Sequence, residues 1–271
     1  AESAVYPALK AGERAFADTV LGRTLENGIR VVGRLVVCGE ACANQISIPA
    51  DINGIAPYAF AGNRALRKIM LPEGVRWIGE GAFFGCSSLE AVIFSEGQHN
   101  GQAQQQTESK QQLIIGANAF EKCIALKELR CPAQEIGEAA FAGCISLAEA
   151  VLLQVQILEK RLFAGCTDLA VCRCETAKVA QAYCFSGCKQ LQDFDFATFD
   201  DIGEYAFEGC ERLKYAAFQD NLSLRAHALE DCSGLEEICL CGQQGTVCLK
   251  EYALSGCTAL HLISVQGKEW A

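Results

Sequence analysis

The chain has 271 residues, 51% of them hydrophobic, and a net charge of −10 from 23 Lys and Arg against 33 Asp and Glu. Phosphate backbones and anionic bilayer surfaces are held by clusters of positive charge, and no Lys/Arg run exists here, so nucleic acid and membrane surfaces are excluded as expected partners. No apolar run approaches the roughly 18 residues that span a bilayer, and the start at Ala1 carries no signal-peptide pattern, as expected of a processed product or an excised fragment.

One pattern organises the chain, written most fully at Ile202 to Phe218 (IGEYAFEGCERLKYAAF). Counted from its Cys, it has an aliphatic residue at −8, Ala at −4, Phe at −3 and Gly at −1. Leu follows at +3 and apolar residues at +6 and +8. In residues 1–50 the pattern is degenerate. Gly12 to Thr19 (GERAFADT) is half a copy, and Ile46 to Pro49 (ISIP) belongs to a copy anchored near Glu40. A capping helix over Tyr6 to Leu21 is the alternative, since terminal repeats are often atypical. Nine good copies fill residues 51–265, anchored at Asn63, Cys86, Cys123, Cys144, Cys166, Cys188, Cys210, Cys232 and Cys257. The five anchors from Cys144 to Cys232 are each 22 residues apart, and a fixed period of this size predicts a solenoid over the whole of 1–271.

Each copy divides in two. Ala and Phe just before Gly-Cys suit a single helical or 3₁₀ turn that lays its Phe into the core. The part after the Leu alternates inward and outward, as a half-buried strand does. A short extended piece precedes the Ile-Gly, as in Gly74 to Gly79. One interval is longer than the period, and its excess, residues 97–112 (GQHNGQAQQQTESKQQ), lacks large apolar residues and reads as an exposed loop insertion. The tail at 266–271 is too short for a polar cap, so the last coil is expected to be uncapped and its end to meet a neighbouring chain or domain.

Gly81 to Leu89 (GAFFGCSSL) and Leu66 to Pro72 (LRKIMLP) resemble the BspA-type leucine-rich repeat, whose consensus runs IGxxAFxxCxxLxxIxLP. The resemblance covers roughly residues 35–265, with the Pro lost after most strands and the Phe column weakened at the C-terminal end. It implies an α/β repeat: a right-handed leucine-rich-repeat solenoid with a parallel β-sheet on one face and short helical turns opposite. Family members are often surface or secreted proteins of bacteria and anaerobic protists, involved in adhesion and protein binding, and the family has no catalytic residues to carry over.

Seventeen cysteines raise the question of disulfides or metal. Eight are anchors, Cys131, Cys172 and Cys174 take strand core positions, and Cys184 replaces the Ala of its copy. These twelve read as small buried hydrophobes, which favours reduced thiols and a reducing compartment, against the surface location that the resemblance implies. Cys38, Cys42, Cys239, Cys241 and Cys248 are left over. Their spacing does not suit structural zinc, and a single disulfide among the last three is the better alternative. No motif joins His99, His227 or His261 to a nucleophile. Asp193 and Asp195 share a face, but an open sheet holds no cleft for two-carboxylate chemistry. No enzyme activity, cofactor or metal is expected.

Function is left to the outward row of the sheet, at +5 and +7: Lys68/Met70, Ala91/Ile93, Glu128/Arg130, Glu149/Val151, Val171/Arg173, Asp193/Asp195, Tyr215/Ala217, Glu237/Cys239 and Leu262/Ser264. Charge mixed with exposed apolar residues suits a protein-binding face. Glu128, Arg130, Asp193, Asp195 and Tyr215 are its expected contact residues. A surface adhesin or carbohydrate-binding module is one alternative, and an architectural subunit of a larger complex is the other.

Overall fold

The computed structural model describes residues 22–95, 112–218, 223–240, 248–265 and 268–270. The segment 1–21, with the expected capping helix or first coil, and most of the Gln-rich insertion lie outside them.

Each coil follows the alternation that its sequence dictates. In Glu128–Cys131 the side chains read exposed, buried, exposed, buried, and Tyr215–Phe218 presents Tyr215 outward with Ala216 and Phe218 inward. Stacking such strands in parallel gives the outward face. Gln45–Ser47, Lys68–Leu71, Ala91–Phe94, Glu128–Cys131, Glu149–Leu152 and Val171–Arg173 form one six-stranded sheet. Tyr215–Phe218, Glu237–Leu240 and Leu262–Val265 form another, extended by Lys268–Trp270. Register is set coil against coil: Lys68 pairs with Ala91, Glu128 with Glu149, and Tyr215 with Glu237. Two-residue strands before each Ile-Gly, such as Trp77–Ile78 and Asp201–Ile202, build a second parallel wall in two sheets, one ending at Glu135–Ile136 and the other beginning at Ile157–Leu158.

The third side of the coil differs from expectation. Among the described residues there is no helix, and the Ala-Phe segments are turns. Their backbone N–H groups alternate in direction. In the coil of Cys166, Leu162, Ala164 and Cys166 donate to carbonyls three residues back, at 3.0–3.1 Å, whereas Arg161, Phe163 and Gly165 donate to Ala182, Cys184 and Ser186 of the next coil, at 2.7–3.0 Å. A left-handed residue at −5 and another at −1 turn alternate amides along the solenoid axis. Arg161 (φ 59°) and Gly165 (φ 72°) do so here, Tyr205 (φ 56°) and Gly209 (φ 67°) in the coil of Cys210. The spacing explains the choice. Phe60 and Phe83 stack at 4.8 Å between ring centroids, close to the separation of neighbouring strands, while a helix with its side chains is about 10 Å wide. Coils this close on every side leave no room for helices.

The core is a set of columns along the stack. Phe60, Phe83, Phe120, Phe141, Phe163, Phe185 and Phe207 are all fully buried, with successive centroids 4.8–5.7 Å apart. The anchor thiols from Cys86 to Cys232 are buried as expected and also bonded. Each donates to the carbonyl of the Phe in the preceding coil, as Cys86 does to Phe60 (3.0 Å) and Cys166 to Phe141 (3.2 Å), while the half-buried Cys257 donates to Leu229. Where the first good copy has Asn63, its Nδ2 donates to the Gly39 carbonyl at 2.7 Å and its Oδ1 accepts from the amides of Ala65 and Leu66. The two glycine columns serve different needs. A Cβ on Gly137 would lie 2.5 Å from the Ala117 amide nitrogen, so the backbones approach too closely for a side chain. A Cβ on Gly85 would meet nothing within 4 Å, and there only the positive φ (67°) calls for glycine.

Both ends depart from the expected plan. Before the coil near Glu40, Arg23–Thr24, Arg30–Val32 and Leu35–Cys38 pair antiparallel instead of forming a coil. The Asn27-Gly28 pair supplies the turn chemistry, with Gly28 at φ 83°. At the other end, Lys268–Trp270 pairs antiparallel with Leu262–Val265, so the face sheet is closed where an uncapped tail was expected. The turn side of the last coil stays open. The amides of Tyr252, Leu254 and Gly256 have no acceptor among the described residues, although their equivalents in the eight preceding coils donate to the next one.

Candidate functional site

The expected contact residues lie together on the outward face. Glu128, Arg130, Asp193, Asp195 and Tyr215 are all exposed, Tyr215 by 50%. Sheet register places Glu128 beside Glu149, Glu149 beside Val171, and Val171 beside Asp193. The two halves of the face differ. Toward the N-terminal end Met70 and Ile93 are each 39% exposed, beside Lys68. Charge is densest from Glu128 to Asp195, interrupted by Val151 and Val171.

The face is interrupted in the coil of Cys188. The amide at +4 donates to the +4 carbonyl of the preceding coil at Ala148 (2.8 Å), Ala170 (3.0 Å) and Gln192 (3.2 Å). The next member, Lys214, donates to no backbone carbonyl among the described residues, and the carbonyl of Gln192 is left without it. The column resumes at Glu236, which donates to Lys214 at 2.9 Å. Asp193 keeps one bridge to Val171, and Phe194 to Phe196 belong to no strand.

Side-chain volume accounts for the break. The +6 and +8 positions hold Cys172 and Cys174 in the preceding coil, but Phe194 and Phe196 here, with Phe199 buried behind them. Phe194 wedges edge-on against Phe185 (5.1 Å) and Phe207 (4.9 Å), and Phe196 against Phe218 (5.1 Å). The other two walls continue across this coil through Val179–Asp201 pairing and the Phe185-to-Ala206 hydrogen bond (2.6 Å), so only the outward face opens.

At the break lies a groove of about 180 Å³, lined by Val171, Cys172, Arg173, Cys174, Glu175, Asp193, Asp195 and Thr198. Arg173 is 4.0 Å from Glu149 and so is partly neutralised. Asp195 accepts from the Ala197 amide through Oδ1 (2.9 Å), which gives it a share in holding the local turn. Glu149, Arg173, Glu175 and Thr198 join the expected residues in space. Arg173 and Glu149 were legible as members of the outward row, but Glu175 and Thr198 come from turns outside it.

Burial raises the thiols of Cys86 and Cys166, pushing both up to about 12. Thiolate chemistry on these columns is thereby disfavoured. Of the unassigned cysteines, Cys38, Cys42 and Cys248 are free thiols, and Cys239 is disulfide-bonded. Cys241 lies outside the described residues. His227 stacks between Tyr205 (4.4 Å) and Tyr252 (5.1 Å) and contacts Glu230 at 3.0 Å. Among the described residues, no three His, Cys, Asp or Glu side chains are grouped to hold a metal ion, and no helix is long and apolar enough to cross a membrane.

A family profile described as the BspA type leucine rich repeat region (6 copies) matches residues 12–105, 99–198 and 156–268. The chain belongs to the BspA-type leucine-rich repeat family. Solved structures agree with the stacked parallel strands of this BspA-type chain. A leucine rich repeat protein of T. pallidum (TpLRR) is 27% identical over 66% of this chain and 82% of its own, with a TM-score of 0.56. One from Bacteroides ovatus is 24% identical, covering 90% of this chain and 67% of its own, with a TM-score of 0.58. A leucine rich cell surface protein from Faecalibacterium prausnitzii is 17% identical, with 93% and 96% covered and a TM-score of 0.51. These last two show the fold alone. No curated protein matches the chain. BspA-type repeats are interaction scaffolds as a rule, and nothing in the described residues indicates catalysis.

Proposed function

We propose that the chain is a non-catalytic protein-interaction module that engages its partner through the outward sheet face. The observation that supports this most is the division of labour within each coil. Ile202, Phe207, Cys210, Leu213, Ala216 and Phe218 are buried, whereas Tyr215 and its equivalents at +5 and +7 stay outside and change from coil to coil. Solenoids bind partners on extended faces of this kind. Replacing Glu128, Arg130, Asp193, Asp195 and Tyr215 together by Ala tests the reading. Capture of a protein partner first isolated with the native chain is expected to be lost, with little change in the melting temperature. Unchanged capture by a folded variant would rule out this face.

A further inference from the structure

We infer, on the interaction reading of the outward face given above, that the break at Asp193 to Thr198 is the point of engagement and that the partner presents an extended basic peptide segment there. Over most of its length the face is a ladder whose main-chain groups satisfy one another, although Ala91–Phe94 and Glu128–Cys131 pair only at Ala91 and Glu128. On the C-terminal side of the break the Lys214 amide and the Gln192 carbonyl have no backbone partner among the described residues, and Tyr215–Phe218 begins a new sheet as its edge strand, while the groove lies on the N-terminal side, against Val171 to Glu175. Unpaired main-chain groups at a sheet edge are what an added extended segment uses.

The groove sets the size of what enters. At about 180 Å³ it falls below the roughly 300–1,000 Å³ of small-molecule pockets and suits one long side chain. Charge sets its chemistry. Among the described residues, Asp193, Glu175 and Glu237 are exposed and make no ion pair, Asp195 has only the Ala197 amide, and the nearby Arg173 is already beside Glu149. A Lys or Arg side chain is the complement of that balance. Tyr215, half exposed one coil further on, offers a ring face to a second cation.

The test is fluorescence anisotropy on the full chain at low ionic strength, with a labelled synthetic peptide of alternating Lys and Thr and its Glu-Thr counterpart. The Lys-Thr peptide is expected to bind and the Glu-Thr peptide to remain free. Asp193→Lys with Glu237→Lys is expected to weaken binding about tenfold or more, and added salt to weaken it as well. Glu73→Lys with Glu138→Lys reverses the same charge at two exposed positions away from the break and is expected to have a much smaller effect. No binding of the Lys-Thr peptide, or equal loss in both double variants, overturns the inference. Binding of the Glu-Thr peptide that is lost in the five-residue variant overturns the basic partner while leaving the face itself as the interaction surface.

Discussion

The thiol of Cys166 lies 3.2 Å from the carbonyl oxygen of Phe141, one coil earlier, and donates a hydrogen bond to it. The contact repeats along the anchor column, so the cysteine ties each coil to the one before it as well as filling space. Cys166→Ala removes the donor and part of the buried volume. A loss of about 1–2 kcal/mol is expected, read as a lower denaturation midpoint in urea. No change in the midpoint would mean that the thiol serves only as filler.

Buried thiols, in the anchor column and at the strand position of Cys131, make stability depend on alkaline pH. Burial pushes Cys86, Cys131 and Cys166 up to about 12 in the folded chain, only partly opposed by backbone hydrogen bonds, against roughly 8.5 for an exposed thiol. With folded values above unfolded ones, the unfolded chain loses its protons first as pH rises. The stabilisation is therefore complete below about 8.5 and is lost progressively toward 12. Denaturation midpoints measured across that window are expected to fall, more gently when Cys131 and Cys166 are replaced by Ala. A flat profile would contradict the burial of these thiols.

The two glycine columns separate steric from conformational cost. In Gly85→Ala the new methyl meets nothing, and only the left-handed backbone is penalised, by about 1 kcal/mol. In Gly137→Ala the methyl must displace the backbone of Ala117, from 2.5 Å. The second variant is expected to be clearly less stable than the first by thermal melting. Equal melting temperatures would mean that the coils can separate locally at little cost.

The columns were legible because burial at fixed spacing is written in residue type. Phe207, Leu213 and Cys210 recur at one period and are all buried. What the period did not reveal was backbone direction. A helical turn and the observed pair of left-handed turns bury the same Ala and Phe, and the informative sign is the Gly recurring at −1. The outward positions of Asp193, Asp195 and Tyr215 were readable from strand alternation, whereas Glu175 and Thr198 reach the groove from turns that no periodicity places. Asp193 to Phe196 shows the limit of pattern most directly. Asp-Phe-Asp-Phe is a clean strand alternation, yet volume overrides it, because two phenylalanines stand where the preceding coil has Cys172 and Cys174.

If that volume is the cause, reducing it should mend the ladder. Phe194→Leu brings the +6 position into the size range of Ile69 and Leu129, whose strands pair along their full length with the strand that follows. The backbone at Asp193 to Phe196 is then free to fall back between its neighbours, and the Lys214 amide gains the Gln192 carbonyl. Hydrogen exchange at Lys214 is expected to slow toward that of Ala170, which is already bonded at 3.0 Å. The lost aromatic contacts and the gained main-chain bonds oppose one another. The net destabilisation is therefore expected to be well below the roughly 3–5 kcal/mol of a Phe141→Ala truncation in the regular stack. The groove should close at the same time, and binding of the Lys-Thr peptide should decline although every carboxylate is still present. Slow exchange at Lys214 in the native chain, or fast exchange persisting in the variant, would show that Phe194 does not hold the sheet open.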